Sequence, residues 1–161
     1  MTAQTGRTVK RWVSFYVDDS AGTLRQIPVN AINGVGLDYE EQNLTAWQDA
    51  IQGVLLAHPS CSITISGPFD TAAAAVATSL SGSHTILSAL PGGSTPLALD
   101  VRVGIRHVWE AGEPTFGITG TTANGFLCKS YTVDLDAGTY TAVFVMAAGS
   151  AAPEWATAAH T

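Results

Sequence analysis

The feature that most constrains this sequence is a strict alternation in its second half, where Leu99, Val101, Val103 and Ile105 take turns with Asp100, Arg102, Gly104 and Arg106. Successive side chains of an extended chain point to opposite faces. The pattern therefore demands a strand with one apolar face in a core and one polar face against water or an interface. The same alternation sets Val13, Phe15 and Val17 against Trp12, Ser14 and Tyr16, and closes on the turn-forming run Asp18-Asp19-Ser20-Ala21-Gly22. It returns at Cys61 to Ser66 before Gly67-Pro68, at Phe116 and Ile118, at Leu127 to Val133, and at Tyr140 to Met146, the last two joined through Asp136-Ala137-Gly138. Strands this short and this frequent predict a mainly β fold, a β-sandwich or flattened barrel of antiparallel strands with one or two short flanking helices. A chain of 161 residues is long enough to bury the core of one domain, and it carries no internal repeat or domain boundary.

The interruptions are as informative as the strands. Residues 24 to 39 read as extended but pass through Pro28, Gly34 and Gly36, and proline cannot donate to a central ladder, so a long, edge-like or bulged hairpin is expected over about 24–45. Thr45 with Gln48 three residues on has the form of a capping box, with Gly53 as the stop, and Leu44, Trp47 and Ile51 fall at helical spacing. These predict a short helix whose apolar face docks on the sheet. His58-Pro59 is read as a breaker. The four alanines after Asp70-Thr71 leave helix and surface loop open over 70–83, and residues 84 to 90 predict a helical turn.

Charge narrows the partners. Charged residues are 12% of the chain, half the usual share of roughly 25%, so an exterior this poor in charge is expected to be covered by neighbouring subunits. A net charge of −6 argues against holding nucleic acid, because phosphate neutralisation is the main sequence-independent source of that affinity. Cys61 and Cys128 lack C-x-x-C spacing and are expected as reduced, buried thiols. No apolar run reaches the ~18 residues that would span a bilayer, so no membrane partner and no export signal are expected.

Catalytic and metal-binding arrangements fail on spacing. His58, His84, His107 and His160 stand in unrelated contexts, none paired with another histidine at metal-ligand spacing and none accompanied by a Gly-x-Ser-x-Gly elbow. The acidic pairs Asp18-Asp19, Glu40-Glu41, Glu110 with Glu113, and Asp134 with Asp136 all flank turns and read as solvated turn residues. Gly34-Val35-Gly36 lacks the third glycine of a dinucleotide fingerprint. No enzyme activity, cofactor or metal is expected. Trp109 and Trp155 could form a carbohydrate platform, but such residues are more often core or interface anchors. Trp155, alone in a tail of small residues, is expected to dock on this domain or on a neighbour.

Taken together, Val17 to Arg25, Gly36-Leu37-Asp38-Tyr39-Glu40-Glu41, Leu44-Thr45-Ala46-Trp47 and Ile65 to Asp70 resemble, in order, the N-terminal half of the tail-tube proteins of long-tailed phages. Gly82 to Leu90, Gly104-Ile105-Arg106-His107, Trp109 to Pro114 and Pro153-Glu154-Trp155 extend the resemblance over most of the chain. It implies a single tail-tube-like domain whose hexameric rings stack through a long hairpin and through terminal arms, here about 1–9 and 149–161. The implied product is a virion tail protein, made in the bacterial host cytoplasm, with other copies, a tail terminator, a tape measure or a capsid as partners. DNA would pass through the lumen without specific binding. The interface candidates on this reading are Pro28, Gly34, Gly36, Tyr39, Glu40, Glu41 and Trp155. One departure is the capped helix expected at Thr45, where tube proteins keep a Gly-Asp-Gly-type turn. Because neck and capsid decoration proteins share the fold, both are alternatives.

Overall fold

The computed structural model describes residues 2–76 and 79–161. Two antiparallel sheets enclose the core, and a separate two-stranded ribbon stands apart from them. The five-stranded sheet has the order β11-β8-β7-β1-β2, with β1 Val13–Asp18, β2 Leu24–Ile27, β7 Leu99–Val103, β8 Thr115–Ile118 and β11 Glu154–Ala156. The four-stranded sheet has the order β3-β6-β10-β9, with β3 Ala31–Asn33, β6 Ser62–Pro68, β9 Phe126–Asp134 and β10 Thr139–Met146. The ribbon pairs β4, Asp38–Asn43, with β5, Val54–Ser60. One short helix, α1, spans Ser83–Leu87.

Alternation assigns the core as expected. Phe15, Val17, Leu99, Val101, Phe116 and Ile118 project from one sheet, and Ile63, Ile65, Tyr140, Ala142 and Phe144 meet them from the other. Phe15 and Phe144 touch across the gap with ring centroids 5.8 Å apart. In β9 the inward parity changes, from Phe126 and Cys128 to Tyr131 and Val133. The cause is a bulge: Val143 faces Ser130 and Phe144 faces Cys128, so Lys129 is the extra residue that shifts the period by one.

The stretch expected as one long hairpin over 24–45 is instead divided among three sheets. Pro28 ends β2 and turns the chain across the sandwich, and its carbonyl accepts the Tyr140 hydroxyl at 2.7 Å. Gly34 and Gly36, at φ 81° and 141°, turn it out again into the ribbon. At Gly34 an added Cβ would lie 2.0 Å from the Ser62 carbonyl oxygen, so the chain passes there only without a side chain.

The helix expected at Thr45 does not form. Residues 44–53 are the tip that joins β4 to β5, and the Thr45 hydroxyl of the supposed capping box serves that turn with Asn43 and Asp49. The Thr45 hydroxyl accepts the Gly53 N–H at 2.9 Å, Asn43 Oδ1 accepts the Thr45 N–H at 2.9 Å, and Asp49 Oδ2 accepts the Ala46 N–H at 2.7 Å. Asn, Thr and Asp satisfy backbone donors in turns by the same geometry that makes them helix caps. His58-Pro59 does not break the chain but lies within β5, where Pro59 faces Tyr39 beside the ribbon's own bulge. The described part of 70–83 is loop as far as Gly82, with positions 77 and 78 outside the described residues, while the helical turn expected over 84–90 is α1.

Candidate functional site: an unpartnered ribbon and a groove at the sheet edge

The ribbon carries the densest exposed apolar surface of the chain. Trp47 is 101% exposed and Ile51 81%, and Leu44, Val54, Leu55 and Leu56 each expose more than half their surface. β4 is polar and acidic, reading Asp-Tyr-Glu-Glu-Gln-Asn, whereas β5 begins Val-Leu-Leu-Ala. One side of the ribbon is therefore an acidic edge and the other a greasy one. Monomeric proteins rarely expose contiguous apolar surface of this kind without a partner to cover it. An isolated two-stranded hairpin is also marginal in water, so a covering surface would stabilise it.

Of the sequence-derived interface candidates, Tyr39, Glu40 and Glu41 sit together on β4, all exposed, with Tyr39 at 45%. Gly34 and Gly36 form the hinge that aims the ribbon. Pro28 is not on the ribbon: it lies in the crossover from β2 to β3, held by Tyr140 near the Gly67 end of β6, whereas the ribbon joins β6 at its Ser62 end. Trp155 is remote from all of them: β11 pairs with β8, and the indole packs on Phe116 at 5.1 Å while 55% exposed.

Expectation and structure part company at the termini. Residues 149–161, expected as an arm whose Trp155 docks on this domain or on a neighbour, add the edge strand β11 to the domain's own sheet and end in a clasp around Asp100. Asp100 is fully buried and accepts the His160 N–H at 3.2 Å, the Arg102 Nε–H at 2.8 Å and the Thr115 hydroxyl, with His160 Nδ1 at 3.1 Å. Glu113, also buried, does the same near the N-terminus: its carboxylate accepts the N–H groups of Gln4 at 3.0 Å and Glu110 at 3.1 Å, with His107 Nε2 at 3.0 Å. Burial alone would raise the Glu113 carboxyl, but the hydrogen bonds from Gln4, Glu110 and Ile105 and the nearby His107 outweigh it and hold the group below its ordinary range. Glu113, His107 and His160 are therefore buried anchors, not solvated turn or surface residues. Their partners lie far off in sequence, so no local signal marks them.

Asp19 conforms to the turn reading. Its carboxylate accepts the Ala21 and Thr23 N–H groups at 2.9 and 3.2 Å and pairs with Arg25 at 3.0 Å. Arg102 lies over the rings of Tyr16 and Trp109, so the Trp109 face is occupied within the chain. Among the described residues no three His, Cys, Asp or Glu side chains converge on a metal-sized space. Among the described residues no helix is long and apolar enough to cross a membrane.

Next to the base of the ribbon is a groove of about 590 Å³, bounded by Lys10, Arg11 and Val13 on one side and Val29, Ile32 and Asn33 on the other. It exists because β2 leaves its sheet at Pro28. Phe15 pairs with Ile27, but no strand among the described residues continues beside Val13 on that side. β3 in turn pairs only with β6, so its second edge is open.

The fold is similar to that of components of contractile injection systems. The tube terminating cap of the anti-feeding prophage superposes with a TM-score of 0.59 at 11% identity, over 98% of this chain and 96% of that one. The sheath–tube complex of an extracellular contractile injection system, PVC, in its extended state gives 0.56 at 10% identity over 94% and 93%. The sheath/tube terminator of the PVC system gives 0.56 at 11% over 96% and 99%. No protein-family model matches the sequence, and no curated protein matches it either. The likeness is one of fold, with nearly complete overlap in both directions, and it places this chain among tail-tube-like β-sandwiches.

Proposed function

We propose that this chain is a non-enzymatic structural subunit of a tailed-phage tail, the tube subunit whose hexameric rings stack around a DNA conduit. The observation that carries this reading is the β4–β5 ribbon: an apolar, unpartnered projection on an otherwise well-packed sandwich needs another protein surface, and a second copy supplies one at every step of a repeating assembly. The tube-protein fold supports it. So does the acidic balance, since a conduit that repels DNA weakly lets the polymer slide. Residues 44–53 form a turn in place of the expected helix, as the tube pattern does, although without its Gly-Asp-Gly residues. A second reading, a ring that ends the tube, is favoured by the cap and the terminator among the similar structures.

Negative-stain imaging of purified protein across a range of concentrations tests both. Filaments of stacked rings are expected for a tube subunit and single rings for a terminating one. A monomer at every concentration by light scattering would refute both.

A further inference from the structure

The groove beside Lys10 and the ribbon are complementary in two independent respects. The groove floor is apolar, formed by Val13, Val29 and Ile32, and its rim carries Lys10 and Arg11, both exposed. The ribbon offers the converse, an apolar strand starting at Val54-Leu55-Leu56 beside an acidic strand with Asp38, Glu40 and Glu41. Among the described residues, neither of the two rim cations has a carboxylate within ion-pair distance, and none of these three acids has a cation. In a chain with seven Lys and Arg residues, two adjacent ones on an apolar groove, Lys10 and an Arg11 that lies over the Trp12 ring at 4.7 Å, with no carboxylate partner among the described residues, are a conspicuous outlay of charge.

The backbone agrees with the side chains. β2 ends at Ile27, so Val13 lies beside a position that no strand of the described chain fills, and the open edge of β3 faces the same groove. Unpaired strand edges are templates for added strands. A second cleft of about 440 Å³, lined in part by Val13, Pro28 and Val29, continues from the first toward Leu80 and lengthens the apolar track.

We propose that the groove between Lys10–Val13 and Val29–Asn33 is the receptor for the β4–β5 ribbon of a second copy of this chain. Leu56 and its cross-strand neighbour Glu41 share one face of the ribbon, so Leu56 covers Val13, Val29 and Ile32 while Glu41, with Glu40 at the adjoining bulge, meets Lys10 and Arg11. This inference rests on the self-assembly reading above, because it names the surface that receives the ribbon. It also makes the interaction head-to-tail, ribbon to groove, so each copy both gives and receives, as a repeating ring or stack requires.

Charge exchange in the full-length protein tests it. Three variants are compared with the wild type: Lys10→Glu with Arg11→Glu, Glu40→Lys with Glu41→Lys, and all four together. Like charges placed across an interface oppose association, so each double reversal should raise the midpoint concentration for assembly by about tenfold or more, and the fourfold exchange should return it to within about threefold of wild type. Melting curves by circular dichroism should coincide, because all four side chains are exposed. Zero-length carbodiimide coupling of the wild-type assembly supplies a readout that needs no variant. Lys10 and Lys129 are the only lysines, so an intersubunit Lys10–Glu40 or Lys10–Glu41 crosslink in a mixture of light and heavy-isotope protein is unambiguous. Unchanged assembly on reversing Lys10 and Arg11, or a fourfold exchange that stays defective, would overturn the groove as receptor while leaving self-assembly intact. A wild type that never assembles would remove both.

Discussion

Trp47 separates two accounts of this chain. On the sequence pattern it anchors a helix on the core, and Trp47→Ala should cost about 3 to 5 kcal/mol of stability, the usual loss for a buried large aromatic. In the structure its side chain is 101% exposed at the tip of the ribbon. Truncation removes no apolar area from burial, so the transfer contribution at about 25 cal/mol per Å² is nil, and the unfolding free energy should stay within about 0.5 kcal/mol of wild type. Phe144→Ala is the internal standard, because that ring is fully buried against Phe15 and its loss should cost about 3 to 5 kcal/mol. Urea unfolding of dilute protein, followed by circular dichroism, gives both values. Self-assembly should reverse the ranking. A tryptophan covered by a partner has the character of a binding hot spot, worth about 2 kcal/mol or more, so Trp47→Ala should weaken association by roughly 30-fold. A Trp47→Ala variant that loses more than about 1.5 kcal/mol as a monomer would refute the placement of residues 44–53. One that keeps both stability and assembly would leave the tip without a role in association.

Further outcomes follow from the anchors and the turns. Asp100→Asn should destabilise the domain by about 3 kcal/mol in urea and expose residues 149–161 to limited proteolysis, because it breaks a buried charged cluster while His160 and Arg102 remain. An unchanged proteolytic pattern would show that the C-terminal segment is held by β11 alone. Gly34→Ala should cost more than about 1 kcal/mol, since φ is 81° and the new Cβ would meet the Ser62 carbonyl, whereas Gly138→Ala, also at positive φ but in open space, should cost less; equal losses measured by thermal melts would contradict the close approach. The depressed Glu113 carboxyl contributes stability that is present above its ordinary value near 4.5 and is lost as pH falls through the lower folded value. Glu113→Gln should therefore flatten the acid limb of a stability–pH profile, and an unchanged limb would place the acid sensitivity elsewhere. Burial pushes the Cys128 thiol up to about 11, so at pH 8 it should react with a thiol reagent only after urea is added, and rapid native labelling would refute its burial.

The sandwich was legible because two-residue periodicity reports directly on which side chains share a face. The inward residues of β1, β6, β7 and β10 all follow from alternation. Only β9 needed more, since the bulge at Lys129 changes the parity and nothing in Cys128-Lys129-Ser130 announces it. The ribbon was misread for a physical reason. Asn43, Thr45, Asp49 and Gly53 form a hydrogen-bonded tip with the residue types that cap a helix, and three apolar residues at spacings of three and four need not share a helical face when the segment is a loop. The termini were misread because their anchors are non-local. Asp100 reaches sixty residues to His160, and Glu113 reaches back 109 to Gln4. Glu40 and Glu41 read as acids flanking a turn, but they lie inside β4, and their place among the interface candidates comes from the family resemblance alone. Their proposed use was not legible, because among the described residues Lys10 and Arg11 have no carboxylate within ion-pair distance.

On the proposed reading, stability and association are carried by different parts of one chain, and the division accounts for the composition. The sandwich closes its own edge with β11 and uses two buried carboxylates to fix both ends, so its core owes little to neighbours. The ribbon contributes little to that core: its apolar side chains face outward and its acids are unpaired. A sequence selected only to fold would replace Trp47, Ile51, Leu55 and Leu56 with polar residues, because exposed apolar strands invite aggregation. Their presence on a single projection, in a chain that also carries a groove of the converse charge, is what the proposed subunit needs if it is to stay folded alone and still join a repeating assembly. By that logic a variant that replaces residues 39–58 with a short Gly-Ser turn should melt within a few degrees of wild type yet remain monomeric. A variant that unfolds instead would mean that the ribbon belongs to the core after all.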